Sequence, residues 1–540
     1  MARRNRIIYA SQSVIVDGNF LYRVQTLGST STFNSTDIFE LGQLKILDVV
    51  DDVPTVAVTL DTNDWGSVYS AAALAGVRSL NFDQTATSVT ANLTVNSGTG
   101  SEVAYFNGVA LSDFGLDSAK VNIWAPVQTE SAMGTADNLI DQTLFLRGCY
   151  ANNLALSYGA GANGTENYTL ETDNKIWLLN NAKFVAQEEF DFTTVASGTV
   201  ELALTDGTGV IPTLSDNKLG FLLKTELGEP AISIYDSSLG TTTLYQVQSG
   251  AATTTRAGYN TTTHVITLPT GFSSDVGDLV KVVYAANEYP NAANVVGANP
   301  PATRIAGNYF TPAESNVEVS GGANEAVGAV RQGQVEIFLV DPSNPPADYD
   351  LSLRLRTVSA TAAMNREALT ELGHLKPYYR AVTFPVEITT NVETTAGDLE
   401  TYARMAGKLT QYNNLTLYDL NIDDIIPKKD LVLVIMIYSQ TDSEAGGSYS
   451  SRIIKPGAKL IGKEYFHDGK KYTYSVNDRE YPMKTIICPN LKMTSEGMTL
   501  SVGSNATQTF AFRSTNKLFM VQGFVPLKHV LAAPGFEKNS

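Results

Sequence analysis

Three aspartates, Asp48, Asp51 and Asp52 in "LDVVDDVP", are the first candidates for chemistry. Carboxylates this close can act as an acid–base pair when their surroundings drive the two pKa values apart. An acidic strand edge or exposed turn is the simpler reading, with the residues supplying charge and no catalysis. "DTNDWG" (61–66) opens like a calcium loop, but Trp65 occupies a ligand position and no closing bidentate glutamate follows. The four histidines, His264, His374, His467 and His529, have no ligand-like spacing. There is no phosphate-binding glycine loop, no G-x-S-x-G elbow and no H-E-x-x-H. The expectation is a protein without cofactor or metal, and not an enzyme.

A second kind of candidate is a contact arm. In "KEYFHDGKKYTYSV", Asp468-Gly469 between β-type runs is a strong two-residue turn signal. His467, Asp468, Gly469, Lys470 and Lys471 form its basic tip, suited to contact an acidic neighbour; a merely solvated hairpin is the alternative.

The elements that would carry these residues are written twice. "FELGQLK" (39–45) returns as "TELGHLK" (370–376), 331 residues downstream. At the same offset Arg23 falls on Arg354, Thr30 on Thr361, Asn34 on Asn365, Pro54 on Pro385, Thr59 on Thr390 and Gly66 on Gly397. Ala72, Ala75 and Gly76 fall on Ala403, Ala406 and Gly407. Later, at a slightly larger offset, "NGTENYTLETDNKIW" (163–177) reads against "NATQTFAFRSTNKLF" (505–519), and just before them "LALSYG" faces "MTLSVG". Such self-similarity reads as internal duplication. Because Gln43 becomes His374, the echoed phrase is a structural landmark and not a reactive motif.

Copy one is expected at 1–185 and copy two at 329–540, each a β-unit with one short helix. Alternating Val, Ile and Thr in "VPTVAVTLD" and "FPVEITTNV" predicts strands. "SVYSAAALAGV", with Val68, Ala71, Ala72 and Ala75 on one face and Gly76 at its end, predicts a helix, as does "DLETYARMAGK" (398–408). Residues 186–328 have short strand-like runs between Gly, Asp and Ser turns, which predicts a small intervening sandwich of immunoglobulin-like type. The fold class is mainly β.

The chain has 540 residues, a formal net charge of −17 at pH 7 and two cysteines. An acidic protein does not hold nucleic acid by neutralising phosphates, though it can repel DNA from a channel wall. No apolar run is long enough to span a membrane, and the basic start has no signal-peptide core. Cys149 and Cys488, at roughly comparable places in the copies, are expected as buried thiols, with a bridge between copies as the alternative.

The order of features resembles the tail tube proteins of tailed bacteriophages. The matching stretches are "IFELGQLKILDVVDDVPTVAVTLD" and "GANGTENYTLETDNKIW" with their second-copy counterparts, and the closest likeness is to the type with two tube domains per chain. The resemblance implies sandwich or barrel domains that close into stacked rings, three chains making a pseudo-hexamer or six a hexamer. It also implies double-stranded DNA passing through the lumen without specific binding, and tape-measure, terminator and sheath proteins as tail partners. The place implied is the virion tail, assembled in the bacterial cytoplasm, with Asp48, Asp51 and Asp52 as acidic lumen or edge residues. The alternative is a phage fibre or decoration protein whose tandem sandwiches bind a receptor.

Overall fold

The computed structural model describes residues 7–76, 93–191, 199–201, 220–286, 303–319, 335–395, 430–437, 464–473 and 484–538, apart from short breaks within these ranges. The protein is mainly β: 35 strands are described, alongside α-helices of only 6 and 5 residues. Contacts divide the chain into two compact units, each discontinuous in sequence. Unit 1 comprises 1–22, 120–149 and 172–322; unit 2 comprises 23–119, 150–171 and 323–540.

Unit 2 contains an extended sheet with a repeating order. The strand Val24–Thr32 pairs with Thr55–Thr62, which neighbours Thr165–Thr172, which pairs with the second half of Ile140–Gly159. The sheet then continues through Leu355–Ala363, Glu387–Thr395 and Thr507–Thr515 to the second half of Lys484–Thr499. The last four strands repeat the first four, in the same lateral order. Alternation explains the strands: in "TVAVTLDT" Val56, Val58 and Leu60 are buried and Ala57 and Thr59 exposed, as a period of two requires. "TQTFAFRST" does the same with Phe510 and Phe512.

The copies match to the residue. Strand 24–32 lies 331 positions before 355–363, and the hairpin Ser35–Ile38/Asp48–Asp51 lies 331 before Arg366–Leu369/Tyr379–Val382. In the late strands Ser157 pairs with Thr165 and Thr499 with Thr507, so the offset is 342. "LALSYG" and "MTLSVG" therefore correspond two residues away from where their spelling aligns them. Ladder irregularities confirm 342: bulges fall between Ala151 and Asn153 and between Met493 and Ser495. Positive φ occurs at Gly148 (63°) and Asn490 (59°), residue types that tolerate it.

Each copy also has an outer ladder. In unit 1, Val121–Thr129 pairs on one side with the first half of 140–159, followed by Asn174–Ala182, and on the other with Ile7–Gln12 and Val14–Val16. In unit 2, Leu431–Ile437 lies between Val335–Val340 and the first half of 484–499, followed by Phe519–Gln522 and Gly108–Ala110. The first-copy helix is Tyr69–Leu74; Gly76, at φ 69°, ends it and its N–H donates to the Ala73 carbonyl at 3.2 Å. The second-copy helix at 398–408 lies outside the described residues.

The intervening segment folds as a nine-stranded sheet within unit 1, around Phe221, Ile232, Tyr259, Val280 and Tyr284. It has no core boundary against the first copy: Leu222, Leu223 and Val283 pack with Ile15, Trp124 and Phe145, the last two rings stacked at 5.0 Å.

Candidate assembly interface

A cluster of side-chain interactions lies where copy one meets copy two inside unit 2. Backbones pair from Asn153↔Ala363 to Gly159↔Thr357. On the covered face Leu154, Leu156 and Tyr158 meet Val358, Ala360 and Ala362, each at most 3% exposed. Beside this ladder, Lys484 Nζ lies 2.5 Å from Glu166 Oε1, and the Tyr158 and Tyr168 hydroxyls donate to the same carboxylate at 3.4 and 3.3 Å. Burial first, and the neighbouring Glu166 charge second, push the Tyr158 hydroxyl well above the ordinary tyrosine pKa.

A clamp closes the junction. The hairpin 366–369/379–382 of copy two lies on copy one: Arg366 Nε donates to the Ala151 carbonyl at 2.8 Å, and Nη2 to that of Phe114. Its guanidinium stands 4.9 Å from the Tyr150 ring centroid, a cation–π distance. Arg380 Nη1 meets Glu171 Oε1 at 2.5 Å, and Tyr379 packs edge-on against Tyr150. Next to the bulge, the Met364 N–H donates to the Asn152 carbonyl at 2.6 Å, and Met364 is 1% exposed.

The duplicate surfaces lack such cover. Among the described residues, no strand is hydrogen-bonded to the outer side of 24–32 or of 493–499. Met498 is 56% exposed where its counterpart Leu156 is buried, and Phe33 is 82% exposed where Met364 is buried. Unprotected edges of this length invite pairing.

The open face of the extended sheet is rich in threonine. Its carboxylates among the described residues are Asp61, Glu171, Glu387 and Glu393, against the cations Arg356, Lys492 and Arg513. Asp61 accepts a hydrogen bond from the Asn167 amide, Glu393 pairs with Arg356 at 3.4 Å and Glu387 with Arg513 at 3.1 Å.

Of the aspartates singled out in the sequence, Asp48 and Asp51 lie on the exposed hairpin 35–38/48–51, and Asp52 lies outside the described residues. Of the echoed "FELGQLK", residues 40 and 42–45 lie outside the described residues; Leu41 and its match Leu372 are both fully exposed. The basic arm has strands Glu464–His467 and Lys470–Thr473, with His467 paired to Lys470 across Asp468 and Gly469, themselves outside the described residues. Its first strand also pairs with Val103–Phe106, Phe466 opposite Tyr105, and so extends a five-stranded sheet within unit 2.

His529 is buried, edge-on to Phe106, in a core position; His264 and His374 are outside the described residues. Cys149 and Cys488 are buried and neither forms a disulfide. They are not equivalent: at offset 342 Cys149 matches Leu491 and Cys488 matches Leu146, each paired to the outer-ladder strand. The interface residues Arg366, Arg380, Glu166 and Lys484 escaped the sequence reading. Their signal lay in the mismatches between copies, where Ser35, Val49, Gln508 and Gln142 stand instead. A scan against protein-family models finds no match to this chain, and a search of the curated proteins finds none.

Proposed function

We propose that this chain is a structural tube protein of the tailed-bacteriophage kind. Three chains close into a ring of six sheet units, rings stack, and the hollow column conducts double-stranded DNA. One observation carries the reading: a four-stranded unit occurs twice, the copies are joined edge to edge through 153–159 and 357–363, and the matching outer edges carry no further strand among the described residues. Repeating the same join between chains is a heterologous contact, which closes into a ring when its rotation fits.

Strand spacing favours three chains per ring. At about 4.8 Å between strands and a tilt near 40°, about twenty-four strands close at a diameter of roughly 48 Å. One chain's share of about eight would give a barrel filled by its own side chains, and six chains' share would give roughly twice the diameter. Three chains leave a lumen wide enough to pass a double helix. In that ring the threonine-rich open face lines the lumen, with slightly more carboxylates than cations, a wall that does not grip phosphate.

Electron microscopy of the purified protein tests the proposal. Hollow stacked rings with three chains per ring are expected; dispersed monomers at every concentration would refute it.

A further inference from the structure

From the inverted charge of the two copies' hairpins, we infer that the 35–38/48–51 hairpin is a strap that docks on copy two of the next chain, where its charge complements the landing site. This rests on the ring reading, because it applies the join within one chain to the join between chains.

The template is the second-copy hairpin. Met364 enters the covered face beside the bulge at Asn152, Tyr379 lies on Tyr150 and Arg380 on Glu171. Subtracting 331 gives the first-copy strap: Phe33, Asp48 and Val49. Adding 342 to its landing site gives Thr494, Lys492 and Arg513 on copy two. Phe33 would thus enter beside the equivalent bulge at Thr494, and Asp48 would face Lys492.

Three observations favour this occupant. The strap is apolar yet uncovered: Phe33, Ile38, Phe39, Leu47, Val49 and Val50 are 40–82% exposed. Its two strands are exposed throughout, whereas in the docked hairpin Arg380 is buried and its flanks are partly so. Third, charge is complementary. The first-copy strap carries Asp37, Asp48 and Asp51, and the second-copy site carries Lys492 and Arg513, both largely exposed and, among the described residues, in surface pairs with Asp430 and Glu387.

Within the chain the signs are reversed, a cationic hairpin on Glu171 and an aromatic ring. A first-copy strap placed on a first-copy site would bring Asp48 and Asp51 towards Glu171. A second-copy hairpin on a second-copy site would bring Arg380 onto Arg513. Like charges therefore oppose both wrong neighbours.

The test mixes two chains with one added cysteine each, Phe33→Cys and Thr494→Cys, both substitutions at exposed positions and both keeping the buried Cys149 and Cys488, and oxidises them under ring-forming conditions. The template contact, a backbone hydrogen bond from Met364 to Asn152, is compatible with disulfide spacing. A covalent dimer from the mixture, reversed by reductant and absent from either chain alone, is expected. Asp48→Lys should raise the concentration needed for ring formation about tenfold, and Asp48→Lys with Lys492→Glu should restore it. Rings in micrographs without the mixed dimer would overturn the strap and leave the ring reading standing. Neither dimer nor rings would overturn both. Dimers of Phe33→Cys chains with each other would overturn the assignment of the strap to copy two.

Discussion

Glu166 and Lys484, 318 residues apart, form an ion pair at 2.5 Å with side chains 1% and 0% exposed. One residue belongs to each copy, so the pair records how the duplicated units are joined within unit 2. Its equivalents at offset 342 are Gln508 and Gln142, so the join between chains would carry amides where the join within the chain carries charges. Buried opposite charges are stable only together, since either one alone bears its full desolvation penalty.

Removing one partner should therefore be costly. Lys484→Met leaves Glu166 buried without its cation and is expected to destabilise the protein by about 3–5 kcal/mol. Glu166→Gln with Lys484→Gln, the combination the other copy uses, should recover most of that loss. Urea denaturation of Glu166→Gln, Lys484→Gln and the double variant measures the coupling; additive losses would contradict it.

The two ladder edges should respond oppositely to the same substitution. Met498→Lys, at an exposed position, should change stability by no more than about 0.5 kcal/mol while abolishing rings. Leu156→Lys, at the covered equivalent, should cost several kcal/mol and unfold much of the protein. Thermal melts beside micrographs separate the two outcomes.

Alkaline pH should destabilise the fold through buried tyrosines. Burial raises Tyr158 and Tyr259 above the ordinary value of 10.0, so the native state holds protons that the unfolded chain has lost. Their contribution is fully present below about pH 10 and falls as pH rises beyond it. Absorbance of tyrosinate should show a lagging fraction that ionises together with unfolding. A titration complete near pH 10 in the folded protein would contradict this.

Cys488 should be inert in the native protein. Burial pushes its thiol up to about 12, so almost no thiolate exists at pH 8 and reagent cannot reach it. Alkylation should follow global unfolding; rapid native labelling at Cys488 would show the outer ladder of copy two opening locally.

How much of this was legible in the sequence varies with the range of the interaction. Offset 331 matched the strands Thr55–Thr62 and Glu387–Thr395 and the echoed phrase before them, because duplication preserves local alternation and turn residues; the hairpins 35–38/48–51 and 366–369/379–382 were not foreseen. "LALSYG" against "MTLSVG" misled by two positions: an even slip keeps every side chain on its own face, so hydrophobic pattern alone cannot detect it. Only the pairing of Ser157 with Thr165 and of Thr499 with Thr507 fixes the register. The sharing of Leu222, Leu223 and Val283 with Trp124 and Phe145 was hidden because it joins segments distant in sequence. The same holds for the five-stranded sheet that unites 93–96 and 103–106 with 464–473 and 536–538. Arg366 read as an ordinary charged residue; only its contacts with Tyr150 and the Ala151 carbonyl give it a role.

The central claim is that chains join as the copies join within one chain. Cryo-electron microscopy of assembled protein, at a resolution that traces strands, tests it most directly. The account predicts three chains per ring, with 495–499 of one chain hydrogen-bonded to 28–32 of the next and Thr499 opposite Gly28. Rings of six chains, or rings whose 24–32 edge stays unpaired, would contradict it.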